Sequence, residues 1–260
     1  RSLNTIVGST ENIRLLKLDL KDFEAGKSLK ITLDSLAPVN YITKGAGDSL
    51  FLVKEDGGWV IGEKPDLYQK GPHRYGTFKD AFNHNMIFVY GTAGTKEENE
   101  WAFNKARYDA ETWYYRGNGA VDIIADKDFA LSKYKDRGVI LYGNKTTNKA
   151  WNSLLSDCPL QVERNKITAG NKTWQGDDLS AYFVWPIRSS AVASVGVISG
   201  SGLKGMHAAN ANQYFAGASG FPDFMIYSLE MLKWGSNQVK MAGFYDHNWK
   251  LVPGEYTQVN

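Results

Sequence analysis

The segment Asn85-Met86-Ile87-Phe88-Val89-Tyr90-Gly91-Thr92-Ala93-Gly94-Thr95 constrains this chain more than any other. A short apolar run breaks at glycine, and a helical pattern starts at once. Such a strand–turn–helix step opens the parallel sheet of α/β folds, and the turn after the first strand is where those folds usually hold ligands. Thr95 with Glu98 three residues later spells a capping box, in which two side chains satisfy orphan N–H groups at a helix start. The spacing predicts a helix from about Lys96 to Arg116, with Phe103, Ala106, Ala110 and Trp113 on its apolar face.

What precedes the step reads as β. Residues 13–20, 29–34, 49–54 and 58–62 alternate or run apolar, and Glu55-Asp56-Gly57 supplies a tight hairpin turn. Lys64-Pro65 to Gly71-Pro72-His73 reads as a linker. The chain therefore divides into a small antiparallel, sandwich-like β segment with its linker over 1–75, and a second domain over 76–260.

That second domain repeats strand and helix. Strands are predicted at 86–90, 121–125 and 138–142, with helices starting near Asp128 and Thr147. Residues 160–168 read as a hairpin turning at Arg164-Asn165, and 181–185 and 194–198 as two buried strands. Strands at 224–227 and 239–244 finish the sheet as an antiparallel edge. The pattern predicts an α/β fold with a flavodoxin-like, doubly wound, mostly parallel sheet.

Composition limits the function. In 260 residues, 43% hydrophobic content is enough for a sizeable core, and 13% aromatic content is rich. A net charge of +2 without blocks of like charge gives no reason to expect nucleic acid as a partner. The single cysteine, Cys158, rules out an internal disulfide, and no run of eighteen apolar residues predicts a membrane span. His73, His84, His207 and His247 lack metal-ligand spacing, so neither a metal nor a cofactor is expected.

Three loops follow strands expected to be parallel: 91–95, 143–148 and 199–205. They place Gly91, Thr92, Gly94, Asn144, Ser201 and Gly202 on one carboxyl edge as ligand-binding candidates. The plain alternative is that the glycines only permit tight turns; the first loop lacks the third fingerprint glycine, and no phosphate-loop lysine is present. A Gly-x-Ser-x-Gly elbow is missing too. Ser201, His207 and Asp223 can be written as a catalytic triad on residue type alone. The eight tryptophans suggest a carbohydrate platform, with Trp174, Trp234 and Trp249 the least easily placed in a core.

One set of motifs is familiar as a series. It runs Leu50-Phe51-Leu52-Val53-Lys54-x-Asp56-Gly57-x-Trp59, Lys70-Gly71-Pro72, Asp80-Ala81-Phe82 and Gly91-Thr92-x-Gly94. It continues with Asp136-Arg137-x-x-Ile140-Leu141-Tyr142-Gly143-Asn144, Asn148 and Pro222-Asp223. The series resembles the C-terminal region of large secreted bacterial proteins of the prolyl-oligopeptidase and esterase-like type. The resemblance implies a secreted or periplasmic protein whose upstream α/β-hydrolase domain carries the Ser–Asp–His triad. No position here matches that family's serine elbow. The chain, which starts at Arg1 in a β-like segment, then reads as an excised, non-catalytic accessory region partnered by the hydrolase domain of the same parent chain.

Two other readings stand beside it. A stand-alone enzyme or small-ligand binder would use Thr92, Asn144, Ser201 and His207 around a deep pocket. A carbohydrate-binding module would show two or more coplanar exposed rings.

Overall fold

The computed structural model describes residues 4–259. The chain forms two compact units, Arg1–Asp66 and Leu67–Asn260.

In the first unit, β1 (Thr5–Gly8), β3 (Ser28–Leu33) and β4 (Val39–Ile42) form one sheet in the order β1-β3-β4. A second contains β2 (Leu15–Asp19), β5 (Ser49–Glu55) and β6 (Gly58–Gly62) in the order β2-β5-β6. Period-two alternation turns Leu29, Ile31 and Leu33 inward from one sheet and Leu50 and Leu52 from the other. With Leu20 and Trp59 they make a core of their own. The Asp56-Gly57 turn closes the β5–β6 hairpin with Glu55 opposite Gly58. The unit is not wholly antiparallel, because β1 pairs with β3 in parallel. Asp34, in the left-handed region at φ 55°, follows β3. Its carboxylate accepts from Thr10 N at 2.5 Å, Thr10 Oγ1 and Lys54 Nζ at 2.8 Å, and Trp59 Nε1 at 3.0 Å. These donors, Lys54 foremost, hold its pKa far below the usual carboxylate range.

The second unit is organised by an eight-stranded sheet. Its strands are β7 (Ile87–Tyr90), β8 (Asp122–Ala125), β9 (Val139–Tyr142), β13 (Leu179–Pro186), β14 (Ser194–Gly200), β15 (Phe224–Ser228), β16 (Val239–Gly243) and β17 (Tyr256–Gln258). Their order is β17-β16-β15-β13-β14-β9-β7-β8. A separate antiparallel meander holds β10 (Leu160–Glu163), β11 (Lys166–Ala169) and β12 (Lys172–Gln175). One long helix, α1 (Lys96–Gly117), crosses from β7 to β8. The other α-helices are short: α2 (Trp151–Leu155), α3 (Leu203–Ala208) and α4 (Met231–Trp234).

This topology corrects the expected fold. The sheet is not a flavodoxin-like doubly wound parallel sheet. β8, β7, β9 and β14 pair in parallel, but β14–β13, β13–β15, β15–β16 and β16–β17 are all antiparallel. Strand outweighs helix, and the molecule is mostly β. The physical reason lies in one connection. Only residues 187–193 join β13 to β14. A parallel crossover needs a dozen residues or more, so a link this short reverses the chain.

The capping box forms as its spacing predicts. Glu98 N donates to Thr95 Oγ1 at 3.3 Å, and Thr95 N donates to Glu98 Oε2 at 2.8 Å. Of the predicted stripe, Ala106 is buried and Ala110 and Trp113 pack half-buried against the core, and the buried face extends beyond it. Glu98, Trp101, Ala102, Lys105, Ala106 and Asp109 are buried, whereas Phe103 is exposed. Charged residues thus share the buried face of α1, which the apolar pattern alone could not reveal. Thr147 does not cap α2; its Oγ1 instead accepts from Asn144 N at 2.9 Å.

Candidate functional site

The parallel strands β7, β9 and β14 place the loops at 91–95, 143–148 and 199–205 on one carboxyl edge. There the loops bond to one another. Asn144, fully buried, donates from Nδ2 to Gly200 O at 2.8 Å. Its Oδ1 accepts from Thr146 N at 2.9 Å and Thr147 N at 3.1 Å. Asn148 Nδ2 spans Val89 O and Tyr142 O at 3.1 and 3.0 Å. Asp126, which follows β8, accepts from Thr92 Oγ1 at 2.5 Å and from Lys149 N at 2.6 Å.

Amides that an anion would need in the first loop are occupied. Gly91 N donates to Tyr142 O and Ala93 N to Thr147 O. Gly94 N donates to Asn99 Oδ1, and Thr95 N to Glu98. The glycines serve close approach of chain to chain. A Cβ at Gly91 would lie 2.5 Å from Thr147 O, and one at Gly202 2.8 Å from Asp177 O. Where a nucleotide-binding fold leaves room for phosphate, protein backbone fills the space.

The structure does not bring Ser201, His207 and Asp223 together. Ser201 is fully buried; its Oγ donates to Gly176 O at 2.6 Å and accepts from Leu179 N at 3.2 Å. Asp223 sits at the other end of the sheet, where its backbone carbonyl accepts from Val184 N. Leu179 and Val184 stand five residues apart on β13, a rise of roughly 17 Å. The Asp223 carboxylate is committed to Lys70 Nζ, Thr77 N at 2.7 Å and Tyr245 N at 2.8 Å. His207 is exposed on α3 and opens into a different space.

That space is a cleft of about 630 Å³ between α1 and α3. Trp101, Asn104, Lys105 and Tyr108 line it from α1, and Leu203 and His207 from α3. Asn210 closes one side, accepting from Trp101 Nε1 at 3.0 Å. Glu97 and Glu100 stand exposed where α1 begins.

Below the cleft lies a buried polar cluster. Lys105 Nζ is 2.7 Å from Asp109 Oδ1, and both side chains are almost fully buried. Asp109 Oδ2 accepts from Tyr142 OH at 2.9 Å and from Tyr214 OH. The Lys105 ammonium lies 4.9 Å from the Tyr214 ring centroid and 5.6 Å from that of Tyr108. Burial raises the Asp109 pKa above the ordinary carboxylate value, against the pull of Lys105 and the two phenols. The phenols of Tyr142 and Tyr214 are pushed well up by burial and then by the Asp109 charge.

Sequence reasoning singled out His207 but missed Trp101, Asn104, Lys105 and Tyr108. Their spacing puts them on one helical stripe, yet Asn and Lys hide it from a search for apolar faces. The remaining candidates differ in exposure. Cys158 is buried, and burial raises its thiol pKa strongly. Trp249 is buried, Trp174 is half-buried and Trp234 is exposed. Among the described residues the stacked ring pairs are Phe82–Tyr214 and Phe129–Tyr134, neither an exposed platform.

Among the described residues, no group of three or more His, Cys, Asp or Glu is placed to hold a metal ion. No helix in them is long and apolar enough to cross a membrane. No protein-family model matches the chain, and no curated protein matches its sequence.

Proposed function

We propose that this chain is a non-catalytic accessory region of a larger secreted or periplasmic hydrolase of the esterase or peptidase type. The observation that carries this reading is the closed carboxyl edge. In an α/β sheet that edge is where reactive groups are presented. Here Asn144, Asn148, Thr92 and Ser201 spend their polar atoms on neighbouring loops. A nucleophilic serine needs an exposed hydroxyl, a base within hydrogen-bond reach and an oxyanion donor. Ser201 has a buried hydroxyl already bonded to backbone, and Asp223 lies across the sheet from it. Membership of a hydrolase, and the compartment, rest on the motif series that ends at Pro222-Asp223.

Two measurements test the reading. The reading frame preceding Arg1 is expected to encode a Gly-x-Ser-x-Gly elbow; a stop or a signal peptide directly before Arg1 would sink the proposal. The purified chain is expected to leave p-nitrophenyl esters and peptide anilides unhydrolysed. Turnover accompanied by fluorophosphonate labelling of Ser201 would overturn it.

A further inference from the structure

We infer that the α1–α3 cleft is a binding site for a neutral polyhydroxylated ring, a sugar unit of a glycan. At about 630 Å³ the cleft falls within the roughly 300–1,000 Å³ range of small-molecule sites and has room for more than one ring.

Its charges exclude an anion. The only lysine or arginine among its lining residues is Lys105, and that ammonium is neutralised by Asp109 at 2.7 Å. Glu97 and Glu100 add negative charge at the rim. A cation is poorly served too. The Lys105 ammonium, 5.6 Å from the Tyr108 ring, already draws on that ring's negative charge, which weakens its pull on a second cation and leaves its exposed apolar surface open.

The hydrogen-bonding groups match hydroxyls. Asn210 uses its Oδ1 on Trp101 Nε1, so its NH₂ is the end left to donate into the cleft. The Asn104 amide and the His207 imidazole are exposed and bond to no described residue. Glu97 and Glu100 supply acceptors. A hydroxyl both donates and accepts, so a ring carrying several satisfies such a mixed set, whereas an ion satisfies only half of it. The Tyr108 ring, 62% exposed, offers apolar surface for the C–H face of a pyranose, and Trp101, buried to 6% exposure, contributes only an edge of the floor. This is a cleft and not a flat platform, which is why the expected coplanar pair of exposed rings is not needed.

The test is affinity electrophoresis of the purified full chain through native gels. The gels contain neutral polysaccharides (xylan, mixed-linkage β-glucan, galactomannan, starch) or acidic polygalacturonate. Retardation is expected in at least one neutral gel and not in the acidic gel. Tyr108→Ala and Asn210→Ala are expected to weaken it roughly tenfold, in line with losing one aromatic contact or one directed hydrogen bond. Tyr115→Ala, on the same helix but outside the cleft, should leave it unchanged. Circular dichroism confirms that each variant is folded. No retardation in any neutral gel, retardation by polygalacturonate alone, or retardation that survives both cleft substitutions would overturn the inference. None of these outcomes depends on whether the chain accompanies a hydrolase.

Discussion

Lys105 and Asp109 show how a single residue pair can anchor a helix and yet be expendable as a pair. Each is nearly inaccessible, and the carboxylate is shared with two phenols. Removing one member of a buried ion pair strands the other, at a cost of about 3–5 kcal/mol. Asp109→Asn keeps an acceptor for Tyr142 and Tyr214 but leaves the Lys105 ammonium uncompensated. Asp109→Asn is therefore expected to destabilise by about 3 kcal/mol. The double variant Lys105→Met/Asp109→Asn is expected to cost less than this single change. Urea unfolding of Asp109→Asn, Lys105→Met and the double variant decides it, and single losses that simply add up to the double would reject this account. The pair was visible in the sequence as an i, i+4 spacing of opposite charges. Its burial was not visible, since that spacing usually marks a solvated face.

At the scale of elements, α1 is fixed at both its start and its flank. Glu98 completes the capping box and also meets Arg164 Nη2 at 2.6 Å, which ties the helix start to the β10–β11 hairpin. Thr95→Ala removes only the cap and should cost about 1 kcal/mol. Glu98→Ala removes the reciprocal cap bond and the Arg164 contact, so thermal melting should rank it as the more damaging change; equal losses would show the Arg164 contact to be idle. Elements written by local rules were legible: the capping box, the Asp56-Gly57 hairpin, the Arg164-Asn165 turn and the three carboxyl-edge loops. The direction of the central strands was not. Every residue of Leu179–Pro186 and Ser194–Gly200 is buried. A strand buried on both faces carries no alternation and reads the same in either direction. The information lay in the seven residues of 187–193 between them, too few for a parallel return.

At the scale of the whole molecule, the larger unit stores much of its core in tyrosines. Tyr142, Tyr182, Tyr214 and Tyr245 have phenol pKa values pushed well above the ordinary value by burial, and Tyr68 and Tyr227 are pushed up to about 12. A phenol whose folded pKa exceeds its unfolded value of about 10 favours the fold fully below that pH. The contribution is lost as pH rises from about 10 towards 12, because the unfolded chain releases the proton first. Alkaline titration should show one group of tyrosines ionising only as the circular dichroism of the fold collapses. Complete ionisation ahead of that collapse would contradict their burial.

The mutual bonding of the loops around Asn144 has a kinetic consequence. In proteins that bind at this edge, the loops belong to the least protected part of the molecule, since they must open. Here the amides of Ala93, Thr146, Thr147 and Asn165 all donate within the fold. Opening any one loop would strip partners from the others. Native-state hydrogen exchange should find these four amides released together, at the slow rate of strands β7, β9 and β14, rather than loop by loop. Exchange there at the pace of ordinary surface turns would mean that the edge breathes after all.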